Sequence, residues 1–183
     1  SDYNIFIKKQ SKVFLGGPPL VKMATGEESD DETLGGGQMH AEVSGLADYL
    51  AEDEMDALRI GREVVSHLNW RKEGKEPSMK ADDPILDTED LLGLVDPDLK
   101  RPLDVREVIG RITDGSRFEE FKPLFGPTLI CGFATIHGYT VGILGNNGPI
   151  FPDTAAKGGQ FVQLCNQIDL SLIHISEPTR RTD

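Results

Sequence analysis

The chain is poor in cysteine and histidine. Its 183 residues hold two cysteines, Cys131 and Cys165, and four histidines, His40, His67, His137 and His174. None falls into a His-x-x-x-His or Cys/His pattern, and tetrahedral metal sites recruit their ligands at short recurring spacings. No metal is therefore expected in this segment. Two distant cysteines make no disulfide framework either. They read as small buried hydrophobes of a reduced cytosolic or matrix compartment. Positive charge is scarce: 19 Lys and Arg stand against 31 Asp and Glu, a net charge of −12. A nucleic-acid surface needs a basic footprint, so nucleic acid is not expected as a partner. Long apolar runs are missing. None approaches the ~20 residues of a membrane-spanning helix, and the first residues form neither a signal peptide nor a basic amphipathic leader. Much of the negative charge lies in Glu27–Glu32 and in Glu52-Asp53-Glu54. Neither stretch has the ligand order of a calcium loop with its central Gly, and both read as solvated surface.

What is present is clear periodicity. Tyr3–Ile7 and Val13–Leu15 are apolar runs separated by a basic turn, which predicts strand, turn, strand. Gly16-Gly17-Pro18-Pro19 stops the second run and opens a short helical turn over Leu20–Ala24, ending near Gly26. Gly35-Gly36-Gly37 permits positive φ or close approach to a ligand, and equally suits a surface loop. A helix is predicted over 53–69. Asp53 would cap it, and Ala57, Leu58, Gly61, Val64, Val65 and Leu68 would form its apolar face, with Trp70 at its end. Arg71–Asp83 is nearly free of apolar residues and reads as a linker. A helical turn follows around Thr88–Leu94. Asp104 then caps a helix whose apolar face is Val105, Val108, Ile109 and Ile112. Glu107 stands where a capping box wants it, and Asp114-Gly115 ends the helix. Leu129–Ile136 and Tyr139–Leu144, joined by His137-Gly138, predict a hairpin. After the Gly145–Pro149 loop, Asp153 or Thr154 would cap a helix to about Ile168.

Several longer motifs carry a resemblance. They are Phe14–Lys22, Ala24–Glu27, Leu34-Gly35-Gly36, His40, Ser44-Gly45, Pro102–Ile109, Asp114–Phe118, Val141–Gly148, Lys157-Gly158 and Phe161-Val162. In that order they resemble the carboxyltransferase (β-type) subunits of biotin-dependent acyl-CoA carboxylases, over residues 1 to about 169. Gly145–Gly148 and the Leu99–Pro102 lead-in are most similar to the methylcrotonyl-CoA carboxylase branch. Gly37, where the family usually has Ala, and Thr140, where Pro is common, depart from the pattern.

The resemblance implies an α/β, crotonase-like (ClpP/crotonase) ββα spiral, with parts of two such domains present. Residues 1–75 would be the end of the N-terminal domain, 76–103 linker and lead-in, and 104–169 the start of the C-terminal domain. The run Ser1–Ile7 reads as a strand already under way, so the natural N-terminus is expected upstream. Residues 170–183 look like a translated transposon-type sequencing adapter and are expected to be a non-native tail.

The implied chemistry moves a carboxyl group from carboxybiotin, carried on a partner subunit, to a coenzyme A thioester. Two oxyanions develop, a thioester enolate and a ureido oxyanion, and backbone N–H groups can stabilise both. The family's oxyanion loops would fall before Ser1 and after Asp169, so no catalytic residue is assigned. Gly35, Gly36 and His40 are candidates to line the acyl-CoA or biotin side; shaping a local turn is the other reading. Asn146, Asn147 and Gly148 end a strand where ligands often bind, or else simply turn the chain. Lys157 could meet a phosphate or stand solvated near a helix start. Arg101 and Arg106 are expected to pair with acids such as Asp98 or Glu107. The implied partners are a biotin carboxylase/biotinyl carrier subunit and further copies in a homo-oligomer, with the site at the interface. The implied compartment is the bacterial cytoplasm or the mitochondrial matrix. Propionyl-, acetyl- or geranyl-CoA carboxylase subunits, a biotin-dependent decarboxylase subunit, and a non-catalytic assembly piece are the alternatives.

Overall fold

The computed structural model describes residues 2–68, 77, 79–94 and 103–175. It divides into two units, Ser1–Ser66 and His67–Asp183, earlier in the chain than the predicted boundary at 75. Trp70, most of the predicted linker, Arg101 and Asp98 lie outside the described residues.

The first unit runs β1 (Ile5–Ile7), α1 (Pro18–Thr25), α2 (Asp31–Gly35), α3 (Gly37–Met39), a π-helical turn (His40–Ser44), β2 (Tyr49–Ala51) and α4 (Glu54–Ser66). α1 begins on Pro18 and Pro19, where missing N–H groups leave no helical bond unmade. It ends at Gly26, whose φ of 76° favours glycine and whose N–H donates to the Lys22 carbonyl. The acidic stretch is partly structural, since Asp30 caps α2 by accepting from Glu32 N and Thr33 N at 2.9 and 3.0 Å. Of the predicted strand, turn, strand, only the first strand forms, and Val13–Leu15 is not a strand. β1 pairs in parallel with β2, Ile5 opposite Tyr49 and Ile7 opposite Ala51. Lys12 instead makes a single antiparallel bridge to Gly36, Val13 N donates to the Gly35 carbonyl, and Leu15 is fully exposed. α4 exists as predicted, but its buried face is narrower. Ile60 and Val64, spaced i,i+4, are buried, whereas Leu58 and Val65 are exposed. A two-stranded sheet covers only a strip of the helix.

The second unit runs from a 3₁₀ turn (Thr88–Asp90) and α5 (Leu91–Leu94) to α6 (Val105–Ile112), a second 3₁₀ turn (Asp114–Ser116), β3 (Phe118–Phe121), β4 (Leu129–Ile136), β5 (Tyr139–Asn146), α7 (Pro152–Gln167) and β6 (Leu172–Ile175). The sheet order is β3-β4-β5-β6, with the first two pairings antiparallel and the last parallel. β4 is buried along all but its last residue, because helices cover both faces. On one face Val105 and Ile109 of α6 meet Ile130, Ala134, Val141 and Ile143. On the other, Phe161 of α7 packs on Phe121 and Phe133, with ring centroids 5.7 and 5.1 Å apart.

The β4–β5 turn is the predicted one. His137 and Gly138 have φ of 51° and 81°, both positive as the tightest hairpin turn requires. The buried carboxylate of Asp114 clamps it, accepting from His137 N at 2.9 Å and Gly138 N at 2.7 Å.

Two local predictions are corrected, and the position of a third segment is given. Glu107 does not close a capping box with Asp104; it reaches forward to Arg111 at 2.7 Å, where a full charge outbids a backbone N–H. α7 starts at Pro152, and the Thr154 hydroxyl accepts from Phe151 N at 2.6 Å, so Thr154 is inside the helix rather than its cap. Leu172–Ile175, expected to be a foreign tail, is built into the sheet, with Ile173 and Ile175 against the α6-side core. A short apolar run suits an open sheet edge whatever its origin.

Candidate functional site

The first candidate set lies in the first unit and is built around the carbonyl of Val13. Gly35 accepts from Val13 N at 2.8 Å. A Cβ on Gly35 would collide with the Val13 carbonyl oxygen, so close backbone approach, and not positive φ, makes this position a glycine. Gly36 donates to the Glu32 carbonyl at 2.9 Å and accepts from His40 N at 3.1 Å. His40 is buried, with Nε2 2.7 Å from the Val13 carbonyl and Nδ1 2.7 Å from Ser44 Oγ. A carbonyl can only accept, so the network places the hydrogen on Nε2 and turns Nδ1 to the Ser44 hydroxyl. The ring edge faces Phe6 at 5.6 Å. Gly35, Gly36 and His40 thus come together, and both His40 nitrogens are already engaged inside the unit.

The second set closes β5 in the second unit. Asn147 donates its N–H to the Thr128 carbonyl at 2.9 Å, and its side-chain oxygen accepts from Val105 N, also at 2.9 Å. That bond satisfies the first N–H of α6 beside the Asp104 cap, which accepts from Arg106 N at 3.0 Å. Asn146 Oδ1 accepts from Gly148 N at 3.4 Å, and its NH₂ group has no hydrogen-bond partner among the described residues. Gly148 has φ of 151°, and Thr128 Oγ1 donates across the turn to the Pro149 carbonyl at 2.7 Å.

Lys157 is neither solvated nor in the open. Its side chain is 0% exposed, in α7, and Nζ donates to the Gly126 carbonyl at 3.4 Å. Burial pushes its pKa below the ordinary lysine value. The sequence carried a signal for this: Lys157, Phe161 and Leu164 repeat at helical spacing, so Lys157 stands in the buried stripe. Lys122 is also buried, with positive φ, and its amine lies 5.6 and 5.7 Å from the ring centres of Phe121 and Phe125. Arg106 pairs with Glu120, not Glu107, through a two-point fork with both contacts at 2.8 Å. That fork holds the guanidinium pKa up. His67 stacks on Phe133 at 5.1 Å and stands 3.0 Å from Glu119, a pairing that single-residue spacing gave no hint of. Burial pushes the thiols up, to about 12 for Cys131 and about 11 for Cys165. They are inert packing groups and not nucleophiles. Among the described residues no three His, Cys, Asp or Glu side chains are grouped to hold a metal, and no helix is long and apolar enough to cross a membrane.

The family profile of the carboxyl transferase domain matches residues 1–179. That match runs past Asp169, where the resemblance was expected to stop. A probable biotin-dependent acyl-coenzyme A carboxylase beta2 subunit of Mycobacterium tuberculosis is 56% identical over 98% of the chain and 34% of its own length. The mitochondrial methylcrotonoyl-CoA carboxylase beta chain of Dictyostelium discoideum is 46% identical over 98% of the chain and 30% of its own length. The crystal structure of transcarboxylase 12S, a hexamer assembly with hydrolyzed methylmalonyl-coenzyme A bound, superimposes with a TM-score of 0.85 at 29% identity, covering 98% of this chain and 37% of that one. The chain therefore spans about a third of the length of each of these relatives.

Proposed function

We propose, from the premise that the chain belongs to the carboxyl transferase domain family, that it is a portion of the carboxyltransferase β subunit of a biotin-dependent acyl-CoA carboxylase. The observation that carries this is the 56% identity to the mycobacterial β2 subunit across nearly the whole chain. Its α/β fold is of the crotonase-like class, shared with its structural relatives. The acceptor we propose is 3-methylcrotonyl-CoA, on the similarity of Gly145–Gly148 to that branch and the 46% identity to a methylcrotonoyl-CoA carboxylase beta chain.

Carboxybiotin on a biotin carboxylase/biotinyl carrier subunit would supply the carboxyl group. The part played by this chain is positional. With the Asn147 side-chain oxygen committed to the α6 N-terminus, the NH₂ groups of Asn146 and Asn147 are the side-chain donors of the second set that remain for a ligand oxygen among the described residues. Gly35, Gly36 and His40 frame the first unit's turn, and any ligand contact there would come from backbone. The working form is proposed to be a homo-oligomer, in the bacterial cytoplasm or the mitochondrial matrix.

The test uses the complete subunit with its biotinylated partner, offered 3-methylcrotonyl-, propionyl-, acetyl- and geranyl-CoA. The expected outcome is the highest kcat/KM for 3-methylcrotonyl-CoA. Preference for another thioester overturns the acceptor, and no carboxylation of any of them overturns the enzyme reading in favour of an assembly role. The non-native origin of residues 170–183 is a separate proposal. Reading the gene across the codon for Asp169 decides it: a different continuation supports it, and an in-frame Leu170–Asp183 overturns it.

A further inference from the structure

A lysine with no exposed surface needs a reason to be a lysine. Leu or Met would fill the same volume without the desolvation of an amine. What an apolar side chain cannot do is donate to the Gly126 carbonyl, and Lys157 spends its amine there. That carbonyl is a joint, for it also accepts from Leu129 N at 3.2 Å, at the start of β4. Gly126 has φ of 56°, and a Cβ there would stand 3.0 Å from Thr154 Cα, so the segment lies tight against the first turn of α7.

Two residues on, Thr128 takes the fixed segment to the end of β5. Its carbonyl accepts from Asn147 N, its hydroxyl donates to the Pro149 carbonyl, and its Cβ is what a side chain on Gly148 would strike, at 3.3 Å. Asn147 then holds the first N–H of α6. A continuous path of hydrogen bonds and backbone, its first link at 3.4 Å, thus leads from the amine in α7 to the Asn146–Gly148 turn.

We propose that Lys157 is a positioning residue, whose buried amine fixes Gly126–Thr128 and through Thr128 sets the Asn146–Gly148 turn. The consequence for turnover rests on the function proposed above; the tether does not.

The experiment compares complete wild-type subunit with Lys157→Met, which keeps the volume and loses the donor, and with Lys157→Arg, which keeps a donor. Hydrogen exchange is followed peptide by peptide, and kcat/KM for the acyl-CoA is measured with the biotinylated partner. In Lys157→Met, exchange at 126–129 and 146–150 is expected to rise about tenfold or more while 105–112 and 139–144 stay protected. The kcat/KM is expected to fall about tenfold, with Lys157→Arg recovering part of both. Unchanged exchange at the two segments, or a uniform rise throughout the unit, overturns the tether. Raised local exchange with unchanged kcat/KM overturns its role in turnover. A wild type without activity but with the local exchange pattern leaves the tether standing and overturns the proposed function instead. If Lys157→Met does not fold, Thr128→Val cuts the path downstream. It is expected to raise exchange at 146–150 alone, and no change there overturns the proposal.

Discussion

His40 shows how a residue that looks like a ligand can be used up by its own fold. Both ring nitrogens are bonded, one to a main-chain carbonyl 27 residues away. His40→Ala would leave the Val13 carbonyl without its side-chain donor and open space against Phe6. A loss of about 2 kcal/mol is expected in chemical denaturation; an unchanged midpoint would return His40 to the list of ligand contacts. The two thiols give a pH signature. Their folded pKa values lie above the ordinary 9.0, so the stability they contribute is present below pH 9 and lost as pH rises toward about 11 for Cys165 and about 12 for Cys131. Lys157 works the other way. Its pKa is depressed in the fold, so the unfolded chain holds that proton more tightly, and the penalty fades as pH approaches 10.5. With two thiols against one amine, the denaturation midpoint is expected to fall between pH 9 and about 11. A Cys131→Ala, Cys165→Ala double variant should reverse that slope.

At the scale of elements, α6 is held at its N-terminus by two side chains far apart in sequence, Asp104 and Asn147. Replacing either by Ala is expected to lower stability by about 1 kcal/mol. For Asn147 this separates a capping role from a ligand role, since a pure ligand contact would change binding and leave the denaturation curve in place. Local signals made α1, α6, the β4–β5 hairpin and the body of α7 legible in the sequence: Pro-Pro with Gly26, Asp104, His137-Gly138, and apolar spacing. The short strands were not legible. Tyr49–Ala51 and Phe118–Phe121 have three and four residues, and each is a strand only because a partner outside it is there to pair with it. The true face of α4 was hidden for the same reason. Periodicity said which residues share a side, and the width of the sheet beneath decided how many are covered. Of the candidate site, the grouping of Gly35, Gly36 and His40 could be read. The capture of His40 by Val13 and of Asn147 by Val105 could not, because each is a contact across the tertiary structure.

At the scale of the whole molecule, a net charge of −12 coexists with exposed Leu15, Met23, Met55 and Leu92. Charge repulsion keeps copies apart at low ionic strength, and salt removes it over a Debye length of ~10 Å at 0.1 M. The isolated 183-residue chain is therefore expected to self-associate more strongly as salt is raised, which sedimentation velocity would show as a shift to larger species. A salt-independent monomer would mean that the exposed apolar side chains belong to no interface.

The Asp114 clamp also bears on the order in which the second unit assembles. β3, β4 and β5 lie within 29 residues of sequence, whereas β6 waits for the whole of α7. Short loops close first, so the hairpin and its carboxylate clamp should form in the rate-limiting ensemble and the β5–β6 pairing afterwards. Asp114→Asn keeps one acceptor where two N–H groups need satisfying. It is expected to slow refolding while leaving the unfolding rate nearly unchanged, whereas Ile173→Ala should speed unfolding and spare refolding.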